Sequence, residues 1–183
     1  MISKWQIHHV AHLLEQGTVV AYPTEGVWGI GCDPWNEQAT LKILALKNRS
    51  IKKGLILIAS AIEQFDFILH DLPTQYRVKL EESWPGPFTW LVPHHNRVPY
   101  WITGDHSTVA LRVTNHPLVK ALCDLTGPIV STSANPAGQP SAKTRLMVEK
   151  YFHNTGLTIL NGRLGGAKTS SRICDLLTNK VHR

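Results

Sequence analysis

The sequence is short of cysteine, of long apolar runs and of acidic residues in its second half, and each shortage excludes something. Only Cys32, Cys123 and Cys174 occur, far apart and odd in number. A zinc site needs closely spaced pairs and a disulfide-stapled secreted fold needs an even set, so reduced core thiols are expected. No apolar run approaches the roughly 20 residues of a membrane span. Met1 to His8 has neither the continuous apolar core nor the small-residue cleavage site of a secretory signal. Charged residues make up 17% and apolar residues 43%, a balance that excludes intrinsic disorder and a coiled coil. A compact, soluble, cytoplasmic protein is expected.

Catalytic and binding signatures are also missing. There is no Gly-x-x-x-x-Gly-Lys-[Ser/Thr] loop, because Gly165-Gly166-Ala167-Lys168-Thr169 separates glycine from lysine. No Gly-x-Ser-x-Gly elbow presents a nucleophilic serine, and no RNA-recognition or helix-turn-helix pattern is found. His8 and His12 stand four apart without the following His-Glu-x-x-His chemistry, so a solvent-facing helix edge is expected and no metal ligand. Six tryptophans could stack bases, but packing is the commoner use of indoles.

What is present is a chain of 183 residues with a formal charge of +6. That length favours a single domain, residues 1–183, which buries roughly 70% of its unfolded surface and needs no staple. Residues 1–105 carry nine Lys+Arg against ten Asp+Glu, and residues 106–183 carry ten against three. The asymmetry points to an anionic partner, nucleotide or nucleic acid.

Helical and extended patterns alternate without a linker or repeat. Ser3 can cap a helix with Ile7, Val10, Ala11 and Leu14 on one face, stopped by Gly17. Strands are expected at 18–22, 55–59, 88–92 and 108–113, beginning at Ile129-Val130, and near 157–160 and 171–176. Helices are expected at 37–46, along Ile62, Phe65 and Leu69, at 75–83, along Leu118 to Leu125, and at 144–152. This interleaving argues an α/β fold with a mostly buried mixed sheet.

Four segments carry chemistry. Gly26, Gly29 and Gly31 follow a strand directly, so the backbone can approach a ligand or simply turn between two strands, with Thr24 the hydroxyl beside them. Lys47, Arg49, Lys52 and Lys53 crowd into seven residues with no acid among them. They suit a polyphosphate, or form a solvated loop with cations worth about 0.3–1 kcal/mol each at a helix C-terminus. Period-two alternation puts Val109, Leu111 and Val113 on one face and Thr108, Ala110 and Arg112 on the other. An unpaired buried guanidinium costs several kcal/mol, so Arg112 must meet an anionic ligand, a structural carboxylate or solvent. Ser131-Thr132-Ser133-Ala134-Asn135 presents hydroxyls and an amide where the chain leaves the core, the place where open α/β sheets bind ligands.

Tyr22-Pro23-Thr24-Glu25, Lys47-x-Arg49, Lys53-Gly54-Leu55-Ile56-Leu57-Ile58, Trp84-Pro85-Gly86-Pro87, Ala110-Leu111-Arg112-Val113 and Ser131-Thr132-Ser133-Ala134-Asn135 resemble the YrdC/Sua5 family. They stand in the family's order, span nearly the whole chain and look most like its short bacterial form. The resemblance implies a single-domain, twisted, open mixed α/β sheet around a basic central cavity. It implies a nucleotidyltransferase that makes L-threonylcarbamoyladenylate and pyrophosphate from L-threonine, bicarbonate and ATP, for modification of a tRNA adenosine beside the anticodon.

Carried over by motif, Thr24, Arg112 and Ser131 would hold threonine. Arg49, Lys53, Thr108, Ser133, Asn135, Ser141 and Ser171 would hold ATP, with Lys47 and Arg49 as the catalytic cations. Mg2+ would arrive on the ATP phosphates rather than at a protein site. The product would pass to partner proteins of the TsaD, TsaB and TsaE type. Ser50 stands where proline is common in the family, which predicts a more mobile loop. The length matches the family's catalytic domain without the extra C-terminal domain of its longer Sua5 members. Two other readings stay open: a basic ribosome or tRNA maturation factor that binds tRNA or double-stranded RNA, and a YrdC-fold paralogue with another carbamoylated substrate.

Overall fold

The computed structural model describes residues 3–182. In chain order they form α1 (Lys4–Glu15), β1 (Val20–Pro23), β2 (Trp28–Gly31), α2 (Glu37–Lys47), a 3-10 turn (Ile51–Lys53) and β3 (Ile56–Ala59). A second 3-10 turn (Ile62–Phe65) runs into α3 (Asp66–Leu69), followed by α4 (Thr74–Ser83), β4 (Phe88–Pro93), α5 (Tyr100–Thr103) and β5 (Thr108–Val113). The remainder is α6 (Pro117–Thr126), β6 (Ile129–Ser133), α7 (Arg145–Tyr151), β7 (Thr158–Ile159) and β8 (Arg172–Asp175).

The strands join one mixed sheet in the order β7-β1-β2-β6-β3-β5-β4-β8. β3 runs parallel to β5 with Ile58 opposite Arg112, while β6 lies antiparallel to both β2 and β3. Strand alternation divides the apolar residues between two cores. Val20, Tyr22, Ile58 and Ile129 pack with Val10, Ala11 and Leu14 of α1 and with Leu118, Val119 and Leu122 of α6. Ala21, Leu57, Val109, Leu111 and Val113 turn to the other, larger core with Ile43, Leu80, Ile102 and Val148. The three cysteines are buried and unbridged.

Local chemistry explains the element ends. Ser3 and Gln6 form a reciprocal capping box on α1. Asn48 ends α2 in the left-handed conformation, φ 48°, and so turns the chain toward the cationic loop. Ser50 caps the first 3-10 turn by accepting from Lys52 N–H at 3.3 Å. The expected loop at 50–53 is therefore a capped turn in which the serine hydroxyl does a structural job.

Several expectations shift. β1 starts at Val20 rather than residue 18, and Trp28–Gly31 is a strand despite two glycines, because β1 and β6 pair with it on both sides. The Ile62 to Leu69 helix splits at Phe65, whose φ and ψ of −103° and 7° interrupt it. Ser131 to Ser133 lie inside β6, not beyond its end, since Ile56 pairs with Ser131 and Gly29 with Ser133. Among the described residues no helix is long and apolar enough to cross a membrane.

Candidate functional site

A cavity of about 510 Å³ opens where β2, β3, β5 and β6 meet the turn after α2. Its lining contains Thr24, Lys47, Arg49, Lys53, Thr108, Arg112, Ser131, Ser133, Asn135, Ser141 and Ser171. The structure thus brings every site residue expected from the sequence to one wall system. The volume falls in the range of small-molecule sites, about 300–1,000 Å³.

Thr24 sits in the turn between β1 and β2, and two glycines let that turn close. A Cβ on Gly29 would meet Thr24 Cγ2 at 3.1 Å and approach Ser131 Oγ at 3.5 Å. One on Gly26 would meet Thr169 O at 2.2 Å, so only glycine lets the 165–171 segment cross here. Gly165 N–H donates to Thr24 O and Ala167 N–H to Glu25 O, which places Ser170 and Ser171 on the cavity wall. Thr24 Oγ1 donates its proton to Val27 O at 2.7 Å. Toward a ligand it can only accept.

The cations occupy two different settings. Lys47, buried at the end of α2, donates to Ser133 O, and to Asn135 O at 2.7 Å. Burial, and then the neighbouring Arg49 charge, push its pKa down to about 8. Two of its three N–H donors hold the end of β6, and Ala137 N–H bonds back to Lys47 O. Its role in the geometry is to fasten Ser133 and Asn135 to α2, which the expectation of a catalytic cation did not contain. Arg49 Nη2 folds onto Gly54 O at 2.9 Å and Lys53 O at 3.2 Å. Lys53 is exposed at the mouth. The loop also has an acid nearby after all: Lys52 Nζ is 3.7 Å from Asp105, both solvent-exposed.

Arg112 has both a carboxylate partner and a place in the lining. Its Nη2 lies 2.8 Å from Glu25 Oε2, with both side chains largely buried. Glu25 Oε1 accepts from Thr114 Oγ1 at 2.8 Å and from Asn115 N–H at 3.0 Å. Burial alone would raise the Glu25 pKa, but the Arg112 charge and these hydrogen bonds outweigh it and hold the carboxyl below its usual range. Sequence reasoning missed this partner, although Glu25 was in view within the Tyr-Pro-Thr-Glu motif. The acids nearest Arg112 in sequence, Asp105 and Asp124, are not the ones it meets.

The hydroxyl and amide wall is polar but incompletely satisfied. Asn135 Nδ2 donates to Gln139 O at 2.7 Å and Pro136 O at 3.0 Å, while its buried Oδ1 accepts nothing among the described residues. A buried acceptor of that kind is what a bound ligand can satisfy. Ser171 Oγ pairs with Thr89 Oγ1 at 2.8 Å behind β4. His106, His182, Ile102 and Leu91 also line the space and carried no sequence signal. The donors on offer are cations, hydroxyls and amides, a set suited to anions and to nucleotide oxygens. Among the described residues no group of three or more His, Cys, Asp or Glu side chains could hold a metal ion.

The chain is similar to known proteins along its whole length. The chain is 58% identical over 183 residues to a threonylcarbamoyl-AMP synthase of Stutzerimonas stutzeri, covering 100% of this chain and 99% of the relative. It is 56% identical, with the same coverage, to a threonylcarbamoyl-AMP synthase of Pseudomonas aeruginosa. Among solved structures, the Sua5 of P. abyssi complexed with L-threonine superposes with a TM-score of 0.88 at 31% identity. That match covers 96% of this chain and 52% of the Sua5 chain, so the protein spans about half of that longer relative. A family model described as telomere recombination, Sua5/YciO/YrdC, matches residues 12–183. With a family model over nearly the whole chain and full-length relatives at more than half identity, this chain belongs to the Sua5/YciO/YrdC family.

Proposed function

We propose that the chain is an L-threonylcarbamoyladenylate synthase, a nucleotidyltransferase that joins L-threonine, bicarbonate and ATP. The observation that carries this reading is the single cavity in which the Lys47–Lys53 turn, Arg112 and the serine wall converge. Full-length similarity to threonylcarbamoyl-AMP synthases and the threonine complex of P. abyssi Sua5 support the substrate class.

The threonine amine and bicarbonate combine, with loss of water, to a carbamate. One carbamate oxygen then bonds to the α-phosphorus, and the bond to pyrophosphate breaks. Such chemistry needs positioning and charge neutralisation more than a protein nucleophile. Arg112 would take the threonine carboxylate, a charge-assisted pair. Thr24, able only to accept, would meet the substrate's N–H or O–H groups rather than its carboxylate, and Ser131 would complete that end. Arg49 and Lys53 would neutralise the triphosphate and the departing pyrophosphate. Thr108, Ser133, Asn135, Ser141 and Ser171 would hold the rest of the nucleotide, with Lys47 keeping Ser133 and Asn135 in place. Magnesium bound to the phosphates would add positive charge; the lining supplies no carboxylate of its own for the ion.

The product is an activated carbamoyl adenylate whose consumer must carry a nucleophile, which fits a hand-off to TsaD, TsaB and TsaE-type proteins and a tRNA adenosine. RNA contact is a second reading, favoured by the position of the remaining cations. Lys120, Lys143, Lys150, Arg163 and Lys168 are exposed, whereas Arg112 faces the cavity. RNA held this way would be released steeply by salt.

The test is pyrophosphate release from ATP with threonine and bicarbonate, each omitted in turn. All three should be required. Release that continues without threonine would refute the reading.

A further inference from the structure

Glu25 stands directly behind the end of the cavity assigned above to the amino acid. It follows Thr24 in the chain and touches Arg112 in space, yet those two line the cavity and Glu25 does not. Its carboxylate is held on three sides, by Arg112 Nη2 at 2.8 Å, Thr114 Oγ1 at 2.8 Å and Asn115 N–H at 3.0 Å. Its backbone is held as well, since Ala167 N–H donates to Glu25 O at 2.9 Å and Gly165 N–H to Thr24 O at 3.0 Å. A group this well fixed can fix another.

A guanidinium is a rigid planar fork of five N–H donors on a long, rotamer-rich stem. A fixed carboxylate paired with one Nη narrows the directions open to the other donors before any ligand arrives. Ordering that stem in advance removes a cost that binding would otherwise carry. We propose that Glu25 is a positioning residue for the amino-acid substrate: by its ion pair with Arg112 Nη2 it aims the guanidinium at the substrate carboxylate and fixes its distance from Thr24. The inference rests on the reading of this cavity as the threonine site. Glu25 also brings a second negative charge toward a carboxylate ligand, which opposes binding. Because Arg112 lines the cavity and Glu25 does not, the cation is the charge presented to the ligand, and the orienting effect is proposed to outweigh the repulsion.

The experiment uses the full chain and measures threonine binding by calorimetry without ATP, beside the KM values for threonine and ATP. Wild type comes first, and pyrophosphate release that ignores threonine would remove the functional reading itself. Given threonine dependence, Glu25→Gln should weaken threonine binding and raise its KM tenfold or more, with the ATP KM within threefold of wild type. In an Arg112→Lys background, where the fork is already lost, Glu25→Gln should add less than threefold. Unchanged or tighter threonine binding in folded Glu25→Gln overturns the proposal, as does a parallel rise in both KM values or full additivity with Arg112→Lys. Should Glu25→Gln fail to fold, Thr114→Val releases Oε1 while keeping the charge. It should raise the threonine KM threefold or more and leave the ATP KM alone, and an unaltered threonine KM overturns the proposal equally.

Discussion

The two ends of the cavity treat positive charge in opposite ways. At one end Lys47 and Arg49 donate to backbone carbonyls of Ser133, Asn135, Lys53 and Gly54, neutral acceptors that leave the cationic charge in place. At the other end Arg112 is matched by the Glu25 carboxylate, so its charge is balanced and what remains is direction. Carbonyl-held cations keep a field that draws and stabilises a polyanion, whereas a carboxylate-held guanidinium recognises by shape. The difference fits a triphosphate with several charges at one end and an amino acid with one carboxylate at the other.

The strongest test of that contrast is a crossed pair of substitutions. Arg112→Ala strips a partly buried carboxylate of its partner, a loss of about 2–5 kcal/mol. Its threonine KM should rise at least about thirtyfold, with a lower melting temperature, since Glu25 is left behind. Arg49→Ala should instead raise the ATP KM, by tenfold or more, for a charged hydrogen bond worth about 1.5–3 kcal/mol. Steady-state kinetics with each substrate varied in turn would show the crossing, and uniform effects on both substrates would erase the contrast.

A smaller effect concerns the cost of keeping charge without an acid. Lys47 has its pKa pushed down to about 8 from 10.5, so between those values the unfolded chain holds a proton that the folded chain lacks. Stability contributed at this site therefore rises with pH from about 8 to 10.5, and below 8 the burial penalty is fully present. The difference in unfolding free energy between wild type and Lys47→Met should move in favour of wild type by on the order of 2–3 kcal/mol across that window. Denaturant melts at several pH values measure it, and a flat difference would mean that the carbonyls compensate Lys47 as well as Glu25 does Arg112.

The smallest effect is expected at Ser50→Pro. Ser50 has φ −61°, which proline accepts, and its hydroxyl makes one 3.3 Å capping bond. Losing the cap and gaining unfolded-state rigidity nearly cancel, within about 1 kcal/mol. The ATP KM should stay within twofold of wild type, as read by kinetics and a thermal melt.

Much of this site was legible because its signals are local. Alternation along Thr108–Val113 placed Arg112 on the face opposite Val109, Leu111 and Val113, and the Lys47–Lys53 cluster contributes Lys47, Arg49 and Lys53 to the cavity lining. What the sequence concealed is set by distance along the chain. Glu25, in the turn after β1, meets Arg112 of β5 although β2, β6 and β3 lie between those two strands in the sheet, and Lys47 reaches the carbonyls of Ser133 and Asn135 across a similar separation in sequence. At residues 26–31 a turn between two strands is one of two readings, but the second strand has no bounds there because its glycines weaken strand propensity, and these are required by the close approach of Thr24, Tyr22 and Ser131.

The placement of β6 has a consequence for how the molecule comes into being. Among the described residues it is the strand that pairs the β7-β1-β2 half of the sheet with the β3-β5-β4-β8 half. Thr24 belongs to one half, Lys53 and Arg112 to the other, and Ser131 and Ser133 to the link itself. A chain in which β6 is not yet inserted holds two fragments of a sheet and no assembled cavity. Under the function proposed above, a chain without β6 in place would therefore lack the surface on which its substrates meet.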